Sequence, residues 1–76
     1  MKTKVAFRKF DDGDIIALFP EERFTVDHLK YVSSYMHVGQ HGTASEDLIN
    51  DLEDAEPEEY EALKQELEEI GYELDV

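Results

Sequence analysis

The sequence contains no cysteine among its 76 residues. This absence excludes a disulfide framework and a zinc site built from thiolates, so folding has to come from apolar burial. No apolar run approaches the roughly 18 residues that a membrane-spanning helix needs. The polar start, residues 1–4, does not continue into the apolar core of a signal peptide. We therefore expect a cytoplasmic protein with no membrane partner.

Basic residues are almost absent from the second half of the chain. Residues 44–76 carry fourteen acids and one base, Lys64, whereas residues 1–43 carry six of each. The formal net charge of −13 therefore lies entirely in the C-terminal half. A field of this sign repels nucleic acid and anionic membranes and steers basic partners, so we expect no direct nucleic-acid binding. Acidic side chains on exposed helix faces also keep a protein soluble, and this simpler interpretation stays open.

Short strand patterns fill the first part of the chain. Val5 and Phe7 alternate with Lys4, Ala6 and Arg8, and this period of two predicts a half-buried strand. The dipeptide at residues 12–13, Asp-Gly, suits a hairpin turn because both positions accept positive φ. Residues 14–19 then predict a return strand that is apolar on both faces.

A third strand is predicted after a charged connection. Pro20 is expected to end the return strand, because proline cannot donate to the ladder. Residues 21–27 then form the connection, and the third strand runs over residues 29–38. Its alternation places four side chains on one face: Tyr31, Ser33, Tyr35 and His37. That face is either an ordinary solvent face or a recognition surface, since tyrosines give a large contact area at low entropic cost.

Two helices are predicted in the acidic half. Residues 39–42 break the regular pattern, and either Thr43 or Ser45 caps a first helix over about residues 45–55. A second helix begins at Pro57, carries apolar residues at spacings of three and four, and ends at Gly71. The last residues, 72–76, alternate again and predict a short edge strand.

The predicted fold class is α+β, in a single domain over residues 1–76. A small antiparallel β-sheet, made of three N-terminal strands plus a short C-terminal strand, packs against two C-terminal helices. The expected core contains the following apolar residues: Val5, Phe7, Ile16, Leu18, Met36, Val38, Leu48, Leu52, Leu63, Leu67 and Ile70.

Four stretches of the chain share a family pattern: residues 4–9, residues 12–21, residues 34–42 (SYMHVGQHG), and residues 57–60 (PEEY) leading to an Ile-Gly-Tyr end at residue 72. Together they resemble a family of small, uncharacterised proteins of bacteria, their plasmids and their phages. The resemblance implies a host-interaction role by analogy and supplies no catalytic residue. It also implies basic residues around the first helix, where this chain carries acids. Extreme acidity is therefore not implied as a trait of the family.

The central stretch also holds two histidines, His37 and His41, four residues apart with Gly39 between them. Two loop histidines and a further ligand could bind zinc or nickel weakly. The structural alternative is that His37 pairs across the sheet and His41 hydrogen-bonds the loop. No phosphate loop or serine–histidine dyad fits the spacing. We therefore expect no catalytic residue, no resident metal and no cofactor.

The sequence favours a non-enzymatic protein–protein interaction module of bacterial or mobile-element origin. The candidate binding residues are Tyr31, Tyr35, His37, Gln40 and His41, and the candidate acidic surface comprises Asp47, Asp51, Glu53, Asp54 and Glu58. The acidic surface is expected to bind a basic partner or to imitate the phosphates of a nucleic acid. The alternative is a small metal-binding, ligand-binding or catalytic protein that uses the His37/His41 loop. A homodimer through an exposed strand is a third alternative.

Overall fold

The computed structural model describes residues 2–36 and 40–76 of the chain. Within these residues the elements follow one another in this order: β1 (Thr3–Lys4), β2 (Ala6–Lys9), β3 (Ile15–Val26), β4 (Leu29–Met36), β5 (Gln40–Ser45), α1 (Leu48–Asp51), β6 (Glu53–Asp54), α2 (Pro57–Ile70) and β7 (Leu74–Asp75). The domain is therefore mostly strand, with one long helix and one single-turn helix.

Five strands form the main sheet in the order β5-β4-β3-β2-β6, and every neighbouring pair is antiparallel. The other two, β1 and β7, pair in parallel as a separate sheet, with Thr3 opposite Leu74. The predicted α+β class, with a C-terminal strand in the same sheet and two full helices, is therefore wrong. The Thr3 N–H donates to the Glu73 carbonyl at 2.6 Å, so the C-terminal strand satisfies backbone groups of the segment before β2.

Strand β3, predicted as a return strand over residues 14–19, runs far beyond its predicted end. It continues through Pro20 as part of a 12-residue strand. The ladder with β4 shifts register between Phe19 and Arg23, so residues 20–22 form a bulge. Proline is tolerated at a bulge because no ladder hydrogen bond is required of it. The Arg23 Nε donates to the Pro20 carbonyl at 2.8 Å and braces the bulge, and the predicted connection over residues 21–27 is instead the outer half of a strand.

A two-residue turn joins β3 to β4. Asp27 and His28 adopt φ values of 51° and 67°, the left-handed conformation that tight hairpin turns require at both positions. The ladder of β2 with β3 covers only Ile15–Leu18, and the ladder of β5 with β4 stops at Tyr31. Residues 23–30 therefore extend beyond β2 as a hairpin whose tip, residues 26–29, also lies beyond β5, and we call this hairpin the hairpin arm.

Both faces of the main sheet are covered. On one face, α2 covers a cluster of buried side chains: Val5, Phe7, Ala17, Phe19, Tyr35, Leu63 and Leu67. On the other face, the segment around α1 covers a smaller cluster: Ile16, Leu18 and Val32. The two-faced apolar pattern of residues 14–19 is explained by this arrangement, because β3 is the central strand of the sheet.

Most of the predicted core is confirmed. Six of the predicted residues are buried: Val5, Phe7, Ile16, Leu18, Leu63 and Leu67. Met36, Leu48 and Leu52 are half-buried against the second cluster. Val38 lies outside the described residues. Ile70 is 51% exposed, so its placement in the core is wrong: it is the last residue of α2, and the cluster under that helix ends with Leu67.

The long helix matches its prediction and the short one does not. At the start of α2, the side chains of Glu56 and Glu59 each accept from the backbone of the other residue, and Gly71 ends the helix with φ of 123°. The first helix, predicted over residues 45–55, is a single turn, because the chain before it pairs as β5 and the chain after it pairs as β6. Neither helix of the described residues is long and apolar enough to span a membrane.

Candidate functional site

The predicted binding residues of the central stretch lie on two neighbouring strands. Tyr31 and Tyr35 belong to β4, Gln40 and His41 belong to β5, and His37 lies outside the described residues. Residues 40–42 are therefore part of a strand and not of the predicted irregular loop. Tyr35 is fully buried, so it does not contribute to an exposed recognition face.

Tyr35 is the largest fully buried side chain, and its polar end meets a carboxylate. Its hydroxyl donates to the Glu66 Oε1 at 2.8 Å, which ties β4 to α2. The His41 ring lies edge-on to the Tyr35 ring, with centroids 4.6 Å apart. Since a buried hydroxyl without a partner is costly, this contact explains how a tyrosine is accommodated in the core. Glu66 is a structural residue that the sequence analysis missed.

The alternative of a histidine-based site finds no support in the part of the chain that is described. No group of three or more potential ligands from residues 2–36 and 40–76 is placed to hold a metal ion. The cavity beside the first half of α2, about 350 Å³ in volume, is lined by residues such as Asp14, Met36 and Glu59, and includes neither Tyr35 nor His41. Because His37 lies outside the described residues, the histidine site stays a prediction.

The residues of the predicted acidic surface follow the chain from α1 through β6 to α2. Glu53 and Asp54 form β6, the edge strand of the main sheet, Asp51 ends α1, and Glu58 lies in the first turn of α2. Asp47 precedes α1 and lies farther from β6, in a recess lined also by Leu29 and Lys30 of β4. We call these five residues the acidic edge. β6 follows α1 and precedes α2 in the chain, and its pairing with β2 places it at the end of the main sheet.

Two basic residues of β2 pair with the acidic edge. An Arg8 terminal nitrogen lies 3.0 Å from the Asp54 carboxylate, and the Arg8 Nε donates to the Ile49 carbonyl at 2.8 Å. The Lys9 Nζ lies 3.0 Å from a Glu59 oxygen and 3.9 Å from a Glu53 oxygen. These contacts join β2, β6, α1 and α2. This role was not predicted from the sequence, although residues 44–76, with a net charge of −13 and a single base of their own, need bases from elsewhere in the chain to form ion pairs.

The Lys9–Glu59 pair shifts the pKa of both groups. The pKa of Lys9 is raised, chiefly by its hydrogen bond to Glu59 and by the charge of that carboxylate. The pKa of Glu59 is lowered, first because its carboxylate accepts from the Glu56 backbone N–H and second because it accepts from Lys9. The pair is therefore held in its ionised form over the neutral pH range.

Three members of the acidic edge keep their charge uncompensated. No ion pair joins Asp47, Asp51 or Glu58 to any residue within 2–36 and 40–76, and all three residues are exposed. Glu53 and Asp54 are also exposed, although they are paired. The acidic edge therefore presents carboxylates to solvent from three consecutive elements.

Comparison of the chain with protein-family models, curated proteins and solved structures returns no match. The likeness of residues 34–42 and 57–72 to a bacterial family thus stays a resemblance, and function rests on the surfaces and charges described above.

Proposed function

We propose that the protein is a non-enzymatic interaction module that binds a basic protein partner through the acidic edge. The observation that supports this proposal is the exposure of Asp47, Asp51 and Glu58 without an ion pair among the described residues, beside two further exposed acids on the edge strand. Exposed carboxylates on consecutive elements of one small domain raise the local concentration of a basic partner and speed its encounter.

The placement of these acids favours a protein surface as the partner over a small cation. The acids are spread over α1, β6 and α2, and the described residues bring no three of them together as a metal site. Lysine and arginine side chains on a partner reach dispersed carboxylates individually, whereas a divalent cation needs several oxygens at one point. A sharper version of the proposal is that the edge imitates the phosphates of a nucleic acid and occupies a nucleic-acid-binding surface.

A simpler role for these charges makes a different prediction. Charged residues on an edge strand prevent it from pairing with the sheets of other molecules. If the acids only protect the edge, neutralising them causes self-association and leaves the capture of partners unchanged. If they bind a partner, neutralising them removes that partner.

The test compares two triple variants by pull-down from a bacterial lysate, with identification of the eluted proteins. D47N/D51N/E58Q neutralises the unpaired acids of the edge, and the matched control neutralises three exposed acids elsewhere on α2: Glu61, Glu68 and Glu69, each changed to Gln. Both variants change the net charge from −13 to −10. We expect the first to weaken capture about tenfold or more, since each exposed charge pair contributes up to about 1 kcal/mol, and the control to bind like the unmodified chain.

Salt dependence provides the second readout. Capture by the acidic edge should fall steeply between about 0.1 M and 1 M salt, because the screening length shortens from about 10 Å to about 3 Å. Equal weakening by the two triple variants would show that only total charge matters, and a salt-resistant partner that survives D47N/D51N/E58Q would contradict the proposal.

A further inference from the structure

The outer edge of β5 presents backbone groups that no other described strand takes up. β5 ends the main sheet on the side opposite β6, and among the described residues it pairs with β4 alone. The Glu46 N–H donates to the Lys30 carbonyl at 3.1 Å, so every second residue back along β5 also directs its N–H and C=O towards β4. The backbone groups of the residues between them, His41, Thr43 and Ser45, therefore point outward. In the described part of the chain, no backbone hydrogen bond outside the strand ladders engages these three residues.

This edge lacks the features that normally prevent a strand from adding to a sheet. Residues 40–45 contain no acid, no lysine or arginine and no proline, and their ladder with β4 runs without a bulge. The opposite edge strand, β6, is protected, since it is two residues long and both are acidic. On β5, His41, Gly42 and Thr43 are exposed. An extended peptide that joined this edge would pair with the outward N–H and C=O groups and continue the sheet.

A recess of about 410 Å³ lies at the Ser45 end of this edge, lined by His28, Leu29, Lys30, Tyr31, Ser45 and Asp47. It follows from a row of side chains on one face of the sheet, in which Phe24 is opposite Tyr31 and Tyr31 is opposite Ser45. The Phe24 ring stacks on the Tyr31 ring from the β3 side. On the β5 side the neighbour is only a serine, so Tyr31 borders the recess there. Alternation directs the Lys30 side chain to the opposite face of β4.

The recess combines apolar surface with one carboxylate. Leu29 is 59% exposed and Tyr31 is half-buried, and Asp47 is exposed without an ion pair among the described residues. A strand added to β5 would lie about 4.8 Å beyond it, and therefore about 10 Å from β4. A long side chain opposite Ser45 can cross the serine and reach the Tyr31 ring. Lysine and arginine have an apolar stem for the walls and a cationic head for the ring and the carboxylate.

We propose that β5 binds an extended segment of the basic partner as an added strand, with an arginine or lysine opposite Ser45 seated in the recess beside Asp47. The proposal rests on the proposed function for the basic nature of the partner, and it adds a contact at the end of the sheet opposite β6. Two independent features select this occupant. The outward backbone groups require an extended chain, and the recess fits a long cationic side chain.

A second copy of this chain fits the same edge less well. If two β5 strands paired antiparallel about a two-fold axis at Thr43, the residue opposite Ser45 would be His41. The histidine side chain is shorter than that of lysine or arginine, and in its own copy the His41 ring packs edge-on against Tyr35. The edge would be paired, but the recess would stay without a long cationic side chain.

The first test selects peptides from a random phage-displayed library against the full chain. Enriched sequences should share an arginine or lysine at one fixed position, and a fluorescently labelled synthetic copy gives the dissociation constant by anisotropy. D47N and D51N each remove one exposed, unpaired acid near α1, and only Asp47 lines the recess. D47N should raise the dissociation constant about three- to fivefold, whereas D51N should leave it unchanged.

A second pair of variants tests the backbone contact. T43P removes an outward N–H at a position where an edge strand tolerates proline, and T43V keeps that N–H. T43P should raise the dissociation constant of the peptide about tenfold or more, and T43V should bind like the unmodified chain. The same loss is expected when the peptide is N-methylated at alternate residues, a change that leaves the fold of the protein untouched.

Amide hydrogen exchange followed by NMR locates the bound peptide. The N–H groups of His41, Thr43 and Ser45 should exchange about tenfold more slowly when the peptide is bound, because they then donate to its carbonyls. The N–H groups of Gly42 and Ala44 already donate to β4 and should change little. Unchanged exchange at the three outward positions would overturn the proposal.

The remaining outcomes are equally decisive. A library without enriched sequences, enrichment without a fixed basic position, or equal effects of D47N and D51N would overturn the proposal. A dimer of the unmodified chain that T43P abolishes would show that a second copy occupies the edge instead. If the selection fails while D47N/D51N/E58Q still loses its partner from the lysate, this inference is wrong and the acidic edge stands. If D47N weakens the peptide while the triple variant keeps its lysate partner, the acidic edge is wrong and strand addition stands.

Discussion

A pair of substitutions on α2 tests the position of that helix on the sheet. Leu67 and Ile70 lie three residues apart, and their spacing places both on the apolar stripe of the sequence. The structure separates them, because Leu67 is fully buried and Ile70 is 51% exposed. L67A and I70A remove comparable side chains from the same helix and introduce the same residue. Their difference in stability therefore measures burial.

The expected difference is large for a protein of this size. Truncating a fully buried leucine to alanine costs about 2–5 kcal/mol, through lost transfer energy and the cavity left behind. Ile70 keeps half of its surface in water, so I70A should cost about 1 kcal/mol or less. A domain of 76 residues has a free energy of unfolding of roughly 4–11 kcal/mol, at 0.05–0.15 kcal/mol per residue. L67A therefore removes a large share of the total stability.

Urea unfolding followed by far-UV circular dichroism measures both variants. With a slope of about 1–2 kcal/mol per molar urea, L67A should lower the midpoint by about 2 M, and I70A by less than about 1 M. If L67A is unfolded without urea, L67V replaces it and should cost about 1 kcal/mol. Equal midpoint shifts for L67A and I70A, with equal slopes, would show that the helix does not lie on the sheet as described.

Two further predictions concern the Lys9–Glu59 pair and the turn of the hairpin arm. The pKa of Glu59 is lowered in the folded state, so the stability that Glu59 contributes is present above its ordinary pKa of 4.5 and is lost as the pH falls through the folded pKa. The pKa of Lys9 is raised, so the stability that Lys9 contributes is lost only as the pH rises above 10.5. E59Q should therefore flatten the dependence of the urea midpoint on pH at both ends, and a variant with the unmodified pH profile would contradict the assignment. His28 has φ of 67°, which glycine adopts without strain, so H28G should raise the free energy of unfolding by about 0.5–1 kcal/mol, as measured by the urea midpoint. A lower midpoint for H28G would show that the His28 side chain contributes more than its backbone strain costs.

The sequence predicted those elements whose signals are local. Alternation located β2 and the inner half of β3, and α2 was predicted from Pro57, its apolar spacing and Gly71. The outer half of β3 was missed because proline normally ends a strand. In this protein Pro20 lies in a bulge, where no ladder hydrogen bond is required of it, and the strand continues beyond the bulge. Asp27-His28 is also a weak turn signal, because neither residue is glycine.

The acidic half was misjudged because pairing partners distant in sequence decided its structure. Leu48, Ile49 and Leu52 have helical spacing and do pack together against the second cluster. The helix ends at Asp51 because Glu53 and Asp54 pair with Lys9 and Arg8 on β2. A partner more than forty positions away cannot be detected in a local pattern. The burial of Tyr35 was also missed because its partner is distant in sequence: its hydroxyl donates a hydrogen bond to Glu66 on α2. Alternation alone could not show that both faces of β4 are covered.

The parallel pairing of β1 with β7 has a consequence for the order of folding events. Thr3 and Leu74 are separated by almost the whole chain, so joining them closes a loop whose entropic cost is on the order of 4 kcal/mol unless the intervening structure has already formed. We therefore expect this small sheet to assemble after the main sheet, with little of it present in the folding transition state. Substitutions there should leave the folding rate almost unchanged and accelerate unfolding, so the β1–β7 sheet sets the lifetime of the native state more than the speed with which it is reached.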